Sequence, residues 1–157
     1  GMDDTIRDIA LFLHISGAVV WIGGTTMCHV IATALAKARD VAGMRSFCGV
    51  LDRLAGPVFG GTGVLTLLSG IVLVANADYY DFSDAFVSLG FLLLIVGMVL
   101  GAVMAGRRWM SVYETLKGDG VQWDTVAGGV ASAQRSMQLQ LVVLYAAIAV
   151  MVVKPGL

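Results

Sequence analysis

Four long stretches without a charged residue constrain this chain more than any other feature of its sequence. They cover residues 9–36, 54–77, 85–106 and 136–153, and their lengths are 28, 24, 22 and 18 residues. A helix needs about 20 apolar residues to cross the hydrocarbon core of a bilayer. A helix of a soluble bundle would carry polar residues on its outer face in every turn, but residues 91–96 (Phe-Leu-Leu-Leu-Ile-Val) have none. The sequence therefore predicts an all-α integral membrane four-helix bundle with up-down-up-down topology.

The composition favours the same class. Charged residues make up 13% of the chain, whereas soluble domains carry about 25%. Ten basic residues are balanced by eleven acidic ones, which provides no basic surface for nucleic acid. We expect a single domain over residues 1–157, with helices at about 5–37, 56–77, 84–117 and 124–153. The connection over residues 37–53 is expected to extend its neighbouring helices, with a break at Gly56-Pro57.

The basic residues predict the orientation of the four helices. Eight of the ten fall in the two connections that share one side of the membrane: Lys37, Arg39, Arg45, Arg53, Arg107, Arg108, Lys117 and Arg135. The other side keeps Arg7 and Lys154, together with Asp3, Asp4, Asp8, Asp78, Asp81 and Asp84. The positive-inside rule predicts a protein embedded in the lipid bilayer with both termini outside and the two basic connections in the cytoplasm. In a bacterial inner membrane, both termini would then be periplasmic.

Both histidines of the chain, His14 and His29, lie in the first uncharged stretch. Their spacing in a helix corresponds to about 22 Å along the axis and roughly 60° around it, so they face broadly the same side in opposite leaflets. Ionisable residues inside membranes are rare and indicate function by default. The alternative is that a neutral imidazole hydrogen-bonds a neighbouring helix and only supports packing.

The residues around His14 suggest a flat ligand. Gly17, Trp21 and Gly24 share a helical stripe with His14 because they follow it at intervals of three and four residues. Glycines let a macrocycle approach the backbone, and the imidazole supplies an axial nitrogen, as in haem proteins. The same glycines also suit close packing of helices.

Three short strings carry a resemblance to known membrane families. They are His14-x6-Trp21-x-Gly23-Gly24, Gly56-Pro57 before a helix that ends Leu68-Ser69-Gly70-Ile71, and the terminal Met151-Val152-Val153-Lys154-Pro155. The chain resembles small four-helix bacterial membrane proteins: the copper-resistance D-like family, the four-helix membrane protoporphyrinogen oxidases, and an uncharacterised family related to both. The resemblance implies a haem b ligand at His14. The oxidases also use a lysine in a later helix, whereas Lys37, Lys117 and Lys154 lie outside the uncharged stretches.

A haem on His14 needs a second axial ligand or an open position. Methionine is a known partner of histidine on haem iron, and Met151 is predicted at the depth of His14. Met104 and Met137 are predicted near His29. Because His14 and His29 lie in opposite leaflets, we expect one or two haems. Their coordination would be completed by thioethers or by a second chain across a homodimer interface. Arg135 either pairs with a haem propionate or extends to the membrane surface.

Two other classes of function stay open at this point. Met27, Cys28 and His29, with Met104 and Met137, offer soft ligands for Cu(I), so a copper- or small-solute-handling protein without haem is one alternative. A structural subunit of a larger complex is the other. The leading hypothesis is a haem b protein that acts in electron transfer or porphyrin chemistry. The sequence names no redox partner and leaves open whether the protein is an enzyme.

Overall fold

A computed structural model describes residues 4–156 and shows six α-helices and two π-helical segments. The α-helices are α1 (Asp4–Ala38), α2 (Val41–Leu54), α3 (Gly61–Ala75), α4 (Ala85–Val99), α5 (Gly106–Leu116) and α6 (Trp123–Val153). The π-helical segments are π1 (Ala55–Gly60) and π2 (Leu100–Ala105). No strand occurs between residues 4 and 156. Gly1 to Asp3 and Leu157 lie outside the described residues.

These elements form four continuous spans, so the predicted all-α four-helix fold is confirmed. Span 1 is α1, span 2 joins α2, π1 and α3, span 3 joins α4, π2 and α5, and span 4 is α6. Each span is long and apolar enough to cross a membrane. Their outward faces carry large apolar side chains such as Phe12, Leu92 and Val142, which a lipid environment solvates well and water does not.

The second span differs from the sequence prediction at Gly56-Pro57. The connection after α1 is helical from Val41, as expected for a helical extension, but Gly56-Pro57 does not separate it from α3, so the span begins at Val41 rather than near residue 56. Proline lacks the backbone N–H, and its ring collides with the carbonyl one α-helical turn earlier. In π1 the helix widens at this point and continues without a break.

The spans form a ring in chain order. Span 1 lies between spans 2 and 4, and its most extensive contact is with α3. Span 3 packs mainly on α6 through α4, π2 and α5, whereas α3 and α4 touch only sparsely. The bundle is therefore two well-packed helix pairs, spans 1 and 2 and spans 3 and 4, which contact each other less extensively than the helices within each pair do.

One end of the bundle, here called the basic end, holds the connections between spans 1 and 2 and between spans 3 and 4. Arg39 forms an ion pair with Asp124 at the start of α6. Arg45 donates a hydrogen bond to the Gly118 carbonyl at 3.1 Å, so the two connections contact each other. The opposite, acidic end holds loop 76–84 and the two ends of the described chain.

The helices are longer than a membrane requires. At about 1.5 Å per residue, α1 measures roughly 52 Å and α6 roughly 46 Å, against a hydrocarbon core of about 30 Å. A large core cluster that includes Met44, Trp109 and Val130 fills the basic end, and a smaller cluster around Trp21 and Leu144 fills the middle. The basic half thus has a core of its own, and α2 and α5 carry polar residues on their outer faces.

Glycines set the distance between α1 and span 2. A Cβ atom at Gly17 would lie 2.6 Å from the Thr66 hydroxyl and 3.1 Å from the Thr62 carbonyl. The Thr66 hydroxyl is held in place because it donates to that same carbonyl at 2.8 Å. Gly23 lies on the outer face of the same helix, where a Cβ atom would meet nothing within 4 Å.

We predict opposite effects of alanine at these two glycines. Gly17→Ala forces α1 away from α3 and should lower the free energy of unfolding by about 1–3 kcal/mol. Gly23→Ala adds helix propensity without a new contact and should raise it by about 0.5–1 kcal/mol. Unfolding in mixed detergent micelles, followed by circular dichroism, measures both. Equal effects of the two substitutions would contradict the close α1–α3 contact.

Candidate functional site

His14 lies at the interface between α1 and α3, in the half of the bundle near the acidic end. Its Nδ1 lies 2.8 Å from the Thr66 carbonyl oxygen and 3.5 Å from the Ser69 hydroxyl. Because a carbonyl oxygen only accepts, Nδ1 carries the proton and donates it. The other ring nitrogen, Nε2, then has a free lone pair, and no described residue hydrogen-bonds to it.

Span 2 makes room for the imidazole at Gly70. A Cβ atom at Gly70 would lie 3.1 Å from His14 Cε1 and 3.2 Å from Nδ1, which is tighter than most real contacts. The ring is therefore fixed by a backbone carbonyl on one side and by the absence of a side chain on the other. This arrangement presets both the tautomer and the orientation of the imidazole.

An open cleft of about 200 Å³ lies beside His14. Its wall is mostly apolar and comes from spans 1, 2, 3 and 4 together with loop 76–84. Met151 of α6 borders this cleft as well, and its side chain packs against Gly90. His14 and Met151, which were predicted at the same depth, therefore border the same cleft. Their role as ligands stays a prediction.

The rim of the cleft carries one cation. Lys154 ends α6 in a left-handed conformation with φ of 49°, and its ammonium lies 5.6 Å from the ring centre of Tyr80 and 5.9 Å from that of Phe86. All three residues border the cleft. The site therefore combines an imidazole, a thioether and an ammonium around an apolar space.

Loop 76–84 holds Tyr80 at this rim. The hydroxyl and the backbone N–H of Ser83 both donate to the Asp81 carboxylate, and these bonds lower the pKa of Asp81 below its usual value. The Asp84 carboxylate in turn accepts from the backbone N–H of Asp81 at 2.9 Å. With the Asp81 carboxylate ionised at neutral pH, the loop is closed by its own hydrogen bonds.

The other residues of the predicted cofactor stripe contact span 2. Gly17 faces Thr66, a Cβ atom at Gly24 would lie 2.9 Å from the Phe59 ring, and Trp21 is buried against Gly63. These contacts are those of close helix packing. Their role in cofactor binding stays a prediction.

His29 has a different neighbour from His14. Its Nε2 lies 3.4 Å from the Gln138 amide nitrogen on α6, and its Nδ1 is buried with no hydrogen-bond partner among the described residues. His29 borders neither the cleft nor the larger cavity described next. The two histidines therefore contact different helices, although their spacing places them on broadly the same side of α1.

A second cavity, of about 440 Å³, lies between the spans toward the basic end. Cys28 and Met137 border it, whereas Met27, His29 and Met104 do not, so the proposed soft-ligand cluster is only partly assembled. Within residues 4–156, no three side chains of His, Cys, Asp or Glu come together as a metal site. Arg135 is exposed on α6.

Sequence reasoning missed the partners that shape both spaces. Thr66 acts through its backbone carbonyl, which no sequence pattern marks. Gly70 and Lys154 stand out in the sequence through short strings and charge placement, neither of which indicates a cleft. Gln140 has a signal that could have found it, because a glutamine inside an uncharged stretch indicates a polar contact.

Comparison with protein-family models, with curated proteins and with solved structures finds no match for this chain. The candidate site is therefore assigned from its geometry.

We predict that His14 is the Nδ1–H tautomer in protein prepared without a ligand, because the Thr66 carbonyl requires a donor. Nitrogen-15 NMR of histidine-labelled protein in micelles distinguishes the two tautomers. The variant His29→Gln leaves one histidine and assigns its signals. A proton on Nε2 of His14 would contradict the structure.

Proposed function

We propose that this chain is a haem b-binding integral membrane protein and that His14 supplies the axial nitrogen. The observation that carries the proposal is the hydrogen bond from His14 Nδ1 to the Thr66 carbonyl at 2.8 Å. Histidines that ligate metals commonly donate their other ring N–H to a carbonyl or carboxylate, which fixes the tautomer and raises the basicity of the ligating nitrogen. A histidine that served only to hold helices together would not need a cleft beside it.

The donor chemistry of the cleft fits haem b. The imidazole of His14 and the thioether of Met151 are both established haem ligands, and the ammonium of Lys154 suits a propionate carboxylate at the rim. The cleft is smaller than the roughly 300–1,000 Å³ of pockets that enclose a drug-sized ligand. A macrocycle seated on His14 would therefore extend beyond the cleft into its open side.

Haem in such a site supplies one-electron transfer, and the chain provides its setting. Thr66 holds the imidazole in one orientation, and the mostly apolar wall would lower the dielectric around a haem held by His14. A low-dielectric surrounding and a thioether ligand both favour the reduced form and raise the potential. This setting supports electron transfer, which is the role we assign.

We propose one haem per chain rather than two. The cleft includes His14 and Met151, but His29 borders no comparable space and its Nε2 is engaged by Gln138. A lone membrane histidine with such a partner is explained by helix packing.

We further propose that the acidic end, with both termini, lies in the periplasm of a bacterial inner membrane. The eight basic residues of the two connections share the opposite end, where Arg39 and Arg45 contact the start of α6 and the turn before it. The positive-inside rule places that end in the cytoplasm. The haem cleft then lies toward the periplasmic leaflet.

We predict that His14→Ala abolishes haem binding, because it removes the axial nitrogen. The wild-type protein, purified in detergent from cells supplied with a haem precursor, should show a Soret band and about one haem per chain by the pyridine haemochrome assay. His29→Ala is the matched control on the same helix and should keep both. Circular dichroism establishes that each variant is folded.

Met151→Leu tests the second ligand. It keeps the volume of the side chain, so haem should remain bound while the midpoint potential falls, since a thioether ligand raises it. Folded His14→Ala protein with an unchanged Soret band would overturn the proposal. An unchanged midpoint potential in Met151→Leu would show that Met151 is not a ligand of the iron.

We predict opposite compartments for the turn near Gly118 and for the C-terminus. Alkaline phosphatase is active only in the periplasm, so its fusion after residue 157 should be active and its insertion at Gly118 inactive. Green fluorescent protein at the same positions should give the reverse pattern. A cytoplasmic C-terminus would overturn the proposed orientation.

A further inference from the structure

The larger cavity of the bundle is separate from the haem cleft. It has a volume of about 440 Å³ and no residue in common with the cleft beside His14. All four spans contribute to its wall. The volume falls within the range of pockets that bind cofactors and drug-sized ligands.

Both π-helical segments border this cavity. Ala55, Phe59 and Gly60 of π1 lie on one side, and Gly101 and Ala105 of π2 lie on another. A π-helical turn costs stability relative to an α-helical one and occurs frequently at functional sites. Proline accounts for π1, but no proline occurs in π2. The cavity is the feature that the two segments share.

The wall of the cavity suits a neutral, flat, apolar molecule. Four aromatic residues and three methionines contribute to it: Trp21, Phe59, Trp109, Tyr113, Met98, Met110 and Met137. Aromatic rings stack on other rings, and thioethers adapt to their edges. Asp52 is the one charged residue of the wall, and no basic residue lines it, so an anionic ligand has no counter-charge.

The side-chain amide of Gln140 is a polar group within the otherwise mostly apolar wall of the cavity. Its side chain is 6% exposed, and its amide nitrogen donates to the Gly97 carbonyl at 3.2 Å. It packs against Gly101, where any side chain would collide with it. The second amide hydrogen and Oε1 have no partner among residues 4–156, so the amide both offers and accepts a hydrogen bond.

Trp109 lies in the same wall. It is buried, and its indole Nε1 is enclosed by protein with no hydrogen-bond partner among the described residues, so this donor does not face the cavity. The ring of Trp109 contributes apolar surface. The spare hydrogen-bonding capacity of Gln140 beside an apolar cavity therefore indicates a ligand that carries oxygen atoms on an apolar ring.

We propose that this cavity binds a membrane quinone, a lipid-soluble ring with carbonyl oxygens that become hydroxyl groups on reduction. The Gln140 amide suits both forms, because its N–H donates to a quinone carbonyl and its Oε1 accepts from a quinol hydroxyl. The aromatic residues and methionines surround the ring. This proposal is independent of haem binding, because the two spaces share no residue.

Tryptophan fluorescence tests the proposal on the whole chain in detergent micelles, with decylubiquinone as the probe. Trp21 and Trp109 border the cavity and Trp123 does not, so saturable quenching should survive in Trp123→Phe and disappear in the double variant Trp21→Phe/Trp109→Phe. Haem-free His14→Ala protein should bind the probe with unchanged affinity. This last measurement separates the quinone site from the haem site.

Two variants of the wall measure what the cavity contributes. Gln140→Leu should weaken binding about tenfold, because it removes the polar contacts at nearly constant volume. Gln138→Leu is the matched control, since Gln138 lies on the same helix outside the cavity, and it should leave the affinity unchanged. Ala102→Phe adds a ring to the wall and should abolish saturable quenching even if Gln140→Leu fails to fold.

Equal affinities for wild-type, Gln140→Leu and Ala102→Phe protein would overturn the proposal. Saturable quenching that comes from Trp123 alone would overturn it as well. Weaker binding in Gln138→Leu than in Gln140→Leu would move the site to the His29 side of α6.

Discussion

The close contact between α1 and the second span underlies the rest of the structure. At Gly17 the helix meets the Thr66 hydroxyl with no space for a Cβ atom, and one helical turn toward the acidic end the Thr66 carbonyl accepts the proton of His14 Nδ1. The same residue of α3 therefore sets the distance between the helices and the orientation of the imidazole. In lipid this contact gains from packing and from the buried hydrogen bond, because apolar surface provides no driving force there.

The two π-helical segments have the opposite effect on the bundle. Close packing of α1 on α3 and of α4 on α6 leaves little room within each helix pair. At π1 and π2 the spans widen in cross-section, and the space between the pairs becomes the larger cavity. The Gln140 amide in the wall of that cavity also depends on a glycine. A side chain at position 101 would collide with this amide, and Gly101 lets it reach the Gly97 carbonyl. In spans 2 and 3, the α-helical stretches α3 and α4 thus make the close contacts, and the adjoining π-helical segments border the cavity.

Much of the fold was predictable because it follows from burial alone. Uncharged stretches of about 20 residues have few alternatives to a membrane helix, and four of them give the bundle. The helical extension through residues 41–53 was predictable, but its continuation into α3 was not, because a proline ordinarily interrupts a helix. The helix continues through Pro57 because it changes locally from α to π. The presence of a proline does not predict this change.

For the candidate site, the sequence marked the candidate ligands but not the residues that contact them. His14 was recognisable as an ionisable group in an apolar helix, and Met151 followed from matching depths. The partner of His14 is a backbone carbonyl, and the partner of Gly17 is a hydroxyl that also occurs in ordinary helices. Such contacts depend on the rotation of one helix about its axis relative to another, which residue identities constrain only weakly.

Helix α1 connects the two spaces of the bundle. Trp21 borders the larger cavity and His14 borders the cleft, and their separation of seven residues corresponds to about 10 Å along the axis. Both lie on the stripe that packs against span 2, so no flexible segment intervenes between them. A quinone in the cavity and a haem in the cleft would be held at a fixed distance by one rigid helix, with the ring of Trp21 and the core around Leu144 between them. Such an arrangement would let electrons pass between a lipid-soluble two-electron carrier and a one-electron centre nearer the acidic end. The two histidines then need not be equivalent, since His14 borders the cleft and His29 borders neither space.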